Sequence, residues 1–74
     1  MAVMTRHPER YRTLLLRLRD ARLQAGFSQK AVATVLGVDQ KFVSRLETGE
    51  RRIDPIELEE LAELYGKPLT FFLD

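Results

Sequence analysis

Apolar residues recur along the chain at the three- and four-residue spacing of helices, and no segment shows the strict two-residue alternation of a half-buried strand. A first helix is predicted from near Pro8 to about Gln24, with Tyr11, Leu14, Leu15, Leu18 and Arg22 along one side. Leu16 and Leu23, seven apart, fall on a different side, where they either pack or form part of an exposed contact. Val32, Ala33 and Leu36 mark a second helix, and Val43 and Leu46 give a third its inward face. A fourth, Pro55 to Tyr65, buries Leu58, Leu61, Ala62 and Tyr65. Pro68 then opens a last short turn, whose Leu69, Phe71, Phe72 and Leu73 are too many apolar residues for a solvated tail. Phe72 is expected in the core, and Phe71 and Leu73 against a partner, because apolar residues at a chain end are either docked or shared.

Boundary residues agree with this division. Pro8 suits a first helical turn because it has no N–H to leave unpaired. Ser28, Asp39 and Asp54 are N-cap candidates, each with a side-chain oxygen for a free backbone N–H. Pro55 follows Asp54 as a first helical residue, and Gly37, Gly49 and Gly66 close helices two, three and four. The fold class expected is all-α, a compact bundle of four to five helices.

Seventy-four residues make one domain, 1–74, with a core over about 8–66 and a C-terminal turn at 67–74. A chain this short buries only about 60% of its unfolded surface, so dimerisation would add stability. With no cysteine it has neither a disulfide nor a thiolate metal site. No apolar run reaches the length of a membrane span, and the polar N-terminus MAVMTRHPER lacks the apolar stretch of a signal peptide. A cytoplasmic protein is expected.

The net charge of +1 conceals an uneven distribution. Met1 to Leu46 holds nine Lys/Arg against three Asp/Glu, whereas Glu47 to Asp74 holds three against eight. Basic groups that neutralise phosphates supply much of the affinity for nucleic acid, so the first half is the candidate DNA side. Catalysis has no constellation to support it. His7 is the only histidine and has no partner group in the sequence around it. Glu57, Glu59, Glu60 and Glu63 are expected on the solvated face of helix four, and no metal or cofactor is implied.

The stretch Ser28 to Gly49, SQKAVATVLGVDQKFVSRLETG, is thus two short helices joined by a tight turn, with polar side chains opening the second. That layout lets a small domain push a helix into the major groove of DNA. With Gln29, Ala33, Gly37, Gln40, Val43, Leu46, Glu47 and Gly49 at their spacing, it resembles the phage repressor and Cro-like (XRE-type) helix-turn-helix proteins. The resemblance covers roughly Leu14 to Tyr65 and is clearest in Phe27–Arg52. It implies a lambda-repressor-like DNA-binding domain from a bacterial or phage transcriptional regulator, with helix three (about 39–47) in the major groove. A repressor bound to a palindromic operator as a homodimer is the expected form.

Gln40 and Lys41 open helix three, where side chains reach base edges in this docking mode. A glutamine amide matches adenine N6/N7, and lysine donates to guanine O6/N7 or neutralises a phosphate. Arg45, one turn on, can grip guanine or a phosphate with two donors. Phe42 departs from the family pattern, and two readings stay open: contact with a thymine methyl as a fourth base reader, or packing onto Leu46. Ser44 either contacts the backbone or is small enough to let the helix sit close to it. The resemblance gives Gln29 a phosphate contact and a brace for Gln40, and gives Thr48, Arg51 and Arg52 phosphate contacts. Arg22 and Glu47 are implied as a structural ion pair fixing helix three on helix one. Arg6, Arg10, Arg12, Arg17 and Arg19 spread around helix one and cannot all face DNA. Phe71 and Leu73 are the candidate dimer contact. The alternative function is an antitoxin-like or protein-interaction module of the same fold that docks a protein partner, favoured by the surplus apolar residues Leu16, Leu23, Phe71 and Leu73.

Overall fold

Caps and glycines divide the chain into five helices in the computed structural model of the protein, which describes residues 5–73. The ends of the 1–74 domain assignment, Met1–Met4 and Asp74, lie outside the described residues. The helices are α1 (Pro8–Gln24), α2 (Gln29–Leu36), α3 (Gln40–Thr48), α4 (Pro55–Tyr65) and α5 (Thr70–Leu73). The described residues contain no strand.

Ser28, Asp39 and Asp54 cap α2, α3 and α4, their side chains accepting from the N–H of Ala31, Phe42 and Glu57 respectively. The last becomes a full capping box, because the Glu57 carboxylate in turn accepts from the Asp54 N–H at 3.0 Å. Glu57 is therefore half-buried at the helix start and does not join the solvated face expected for it. The turn between α2 and α3 needs Gly37 at φ 73°, the left-handed conformation that an L side chain adopts at a cost. Gly49 is constrained twice: its φ is +85°, and an added Cβ would stand 3.0 Å from Leu15 Cδ1.

The core has a contribution from every helix. Leu14, Leu18 and Ala21 of α1 meet Val32 and Ala33, Val43 and Leu46, and Leu58, Leu61, Ala62 and Tyr65. Phe72, 2% exposed, seals the end of this cluster from α5. The helix pair α2–α3 packs on itself, while α1 lies against α3, α4 and α5 and acts as the central support. The α3–α4 loop is pinned to that support as well. Ile53 is buried, and its backbone N–H donates to Tyr11 Oη at 3.1 Å. No helix among the described residues is long and apolar enough to cross a membrane.

Candidate nucleic-acid interface

The leading end of α3 projects from the surface beside the start of α2. Gln40, Lys41 and Arg45 are exposed, and Ser44 is half-buried between them. Together with Gln29 and Asp39, three of these (Gln40, Lys41 and Ser44) line one shallow depression. No side-chain partner for Lys41 or Arg45 is found among the described residues, so both ammonium and guanidinium groups are offered outward.

Gln40 is held differently. Its Nε2 donates to Gln29 Oε1 at 3.4 Å, a long bond. Gln29 Nε2 donates in turn to Glu47 Oε1 at 3.1 Å. Glu47 also accepts from Arg22, at 2.6 Å from Nε to Oε2 and 3.1 Å from Nη2 to Oε1. Arg22 Nη1 completes the set by donating to the Phe27 carbonyl at 2.9 Å. The Arg22 and Glu47 side chains are 8% and 9% exposed, so this is a buried bidentate pair whose remaining oxygen capacity is taken by Gln29. The hydrogen bond to Glu47 is the main cause that raises the guanidinium's already high pKa, against burial, which works the other way. Burial also pushes the phenol of Tyr65 up to about 12, with the Glu47 charge adding to the shift and Arg22 opposing it. Among the described residues, no buried side-chain nitrogen or oxygen lacks a partner.

The bracing chain leaves Gln40 with its carbonyl oxygen and one amide hydrogen. Those two groups form the donor–acceptor edge that adenine requires. That a glutamine stands exposed at the α3 start was legible from its position. Its tie through Gln29 to the Arg22–Glu47 pair joins residues 11, 18 and 25 apart in sequence, and only the resemblance pointed to it.

Phe42 is half-buried and packed against the core. It lines a crevice with Leu36, Val38, Leu46 and Leu61, and the Arg51 guanidinium carbon lies 4.3 Å from its ring centre. Of the two readings for Phe42, the geometry matches packing; a ring covered in this way is not presented with Gln40 and Lys41. Arg51 is also occupied on its other side, where Nη2 pairs with Glu57 Oε2 at 2.9 Å. Its side chain stays 45% exposed, so the cation is shared between α4 and solvent. Arg52 lies exposed beside it. Thr48 is exposed at the end of α3 and donates back to the Arg45 carbonyl at 3.3 Å.

The two expected dimer residues separate. Phe71 is half-buried, edge-on to Phe72 at 5.2 Å between ring centres, with Lys67 Nζ 4.8 Å from its own. Leu73 remains exposed, and its carbonyl accepts from Arg10 Nη2 at 3.4 Å. Phe71 thus leans mainly on its own core, and Leu73 is the part of α5 that a partner could cover.

A helix-turn-helix family model, of the Cro and repressor type, matches residues 18–72, from the middle of α1 to α5. No curated protein matches the chain.

Proposed function

The chain belongs to this helix-turn-helix family, and from that premise we propose a sequence-specific regulator of transcription that inserts α3 into the major groove of double-stranded DNA. Members of the family are non-catalytic DNA-binding domains, so DNA is the partner and no reaction is sought. In this reading Gln40, Lys41 and Arg45 meet base edges, while Gln29, Ser44, Thr48, Arg51 and Arg52 meet phosphates. Phe42 contributes by packing, and with Glu57 it positions Arg51. The observation that carries the reading is the brace on Gln40: a polar side chain at an exposed helix start is tied, through Gln29, to a buried ion pair. Preorganisation of this kind has a purpose at a recognition surface and none on a merely solvated one.

One domain touches few base pairs, so we propose a two-fold dimer with half-sites about one helical turn apart, roughly 34 Å, acting as a repressor at a palindromic operator. Leu73 is placed at the contact between copies. The alternative of a protein-docking module leans on the exposed Leu16 and Leu23, and it gives no role to the brace on Gln40.

The test is selection of bound sequences from random duplex DNA at physiological salt, with solution mass recorded for the natural chain and for Leu73→Glu. The expected outcome is a palindromic motif, a dimeric mass, and a monomeric mass with weakened binding for the variant. Binding that enriches no sequence and vanishes as salt rises would leave electrostatics alone and sink the proposal.

A further inference from the structure

The outward sides of α1 and α4 carry opposite charge, and the fold leaves two large apolar side chains uncovered on α1 and one on α4. On α1, Arg12, Leu16, Arg19 and Leu23 follow one another at four, three and four residues, so they form one stripe opposite the buried Leu14 and Leu18. Leu16 is 58% exposed and Leu23 54%; Arg12 and Arg19 are exposed along one edge, and Asp20 lies on the other. On α4, Ile56, Glu59 and Glu63 follow at three and four residues, with Glu60 beside them, opposite the buried Leu61 and Tyr65. Ile56 is 66% exposed. Within one molecule α1 and α4 pack through their inward sides, which turns the two stripes away from each other.

We propose that the stripes meet between molecules, the Arg12–Leu23 stripe of one copy docking on the Ile56–Glu63 stripe of the next with the helices antiparallel. Spacing selects that direction. With Ile56 seated between Leu16 and Leu23, the seven residues to Glu63 span about 10 Å and bring its carboxylate level with Arg12. Glu59 then falls between Arg12 and Arg19. A parallel alignment from the same anchor leaves Glu59 near Arg19 but carries Glu63 past the end of α1, away from both Arg12 and Arg19.

Each copy offers one stripe of each kind, so the contact is head-to-tail and can repeat from molecule to molecule. A single pair of crossed helices covers far less than the ~1,600 Å² of a standard stable interface, so association is weak in free solution. Neither stripe contains Gln29, Gln40, Lys41, Arg45, Arg51 or Arg52. The contact therefore uses none of those side chains, and it stands or falls independently of what they bind.

The experiment follows backbone amide chemical shifts of the full chain, without DNA, from dilute to millimolar concentration. Concentration-dependent shifts are expected along Arg12–Leu23 and Ile56–Glu63. Arg12→Glu with Arg19→Glu should weaken the association about tenfold or more, as should Glu59→Arg with Glu63→Arg. All four changes together should restore it, since both stripes are then reversed. Leu16→Ser changes no charge, weakens the same association, and covers the case in which a reversed variant unfolds. Absence of self-association at millimolar concentration, shifts confined to Leu69–Leu73, or a folded fourfold variant that recovers nothing would each overturn the proposal.

Discussion

Tyr65 shows how a single side chain couples the core to the ion pair behind the candidate recognition surface. Its ring lies 6.2 Å from that of Phe27, whose carbonyl receives Arg22, and its phenol is pushed up to about 12 chiefly by burial. The folded pKa is raised, so the folded state keeps the proton longer than the unfolded state, in which a tyrosine titrates near 10. The stability this proton provides is complete below about pH 10 and is lost as pH rises from there towards about 12. Denaturant unfolding across that window should show a steep loss for the natural chain and a shallower one for Tyr65→Phe. Equal slopes would mean that the phenol is not held in its neutral form.

Among the elements, α3 is held both by packing and by a charged contact with α1. Two buried residues, Val43 and Leu46, seat it on the core, and the bidentate Arg22–Glu47 pair fixes its far end to α1. Removing one partner strands a buried charge, so Arg22→Ala should cost about 3–5 kcal/mol in unfolding free energy. Arg22→Met with Glu47→Leu should recover much of that, because no charge is then left alone. Calorimetry on the three chains checks both, and an unchanged melting temperature for Arg22→Ala would refute the account. Four helices, the caps of α2, α3 and α4 and a last short turn were legible in the sequence because caps, glycines and apolar spacing are local signals: Asp54-Pro55, for instance, announces α4. What was not legible depended on distant partners. Nothing around Glu50–Asp54 signals that Ile53 is buried, because the group that receives its N–H belongs to Tyr11, 42 residues away. Phe42 could not be assigned for the same reason, since its cover comes from Arg51 and its walls from α2 and α4. Glu57 differs: its capping-box partner Asp54 is a local signal three residues away, and only its second partner, Arg51, depends on how the loop folds.

At the scale of the whole molecule, the excess of basic groups before Glu47 and of acidic groups after it gives the two ends of the chain different electrostatic roles. Field and contact can be separated by salt. Gln40 carries no charge, so Gln40→Ala should relax preference at one base position by about 1–3 kcal/mol and leave the salt dependence of binding unchanged. Arg52→Ala should weaken all sequences alike and reduce the magnitude of the salt slope by about one. Binding isotherms at several salt concentrations, on matched and singly altered duplexes, measure both; identical behaviour of the two variants would dissolve the division between reading and positioning. The anchoring of the α3–α4 loop bears on how the domain can be moved. The family match starts at Leu18, yet Tyr11 and Leu14, which hold Ile53 and complete the core, lie upstream of it. A chimera that borrowed only the matched stretch would carry the whole reading head with its foundation cut away. A transplantable unit has to start no later than Pro8.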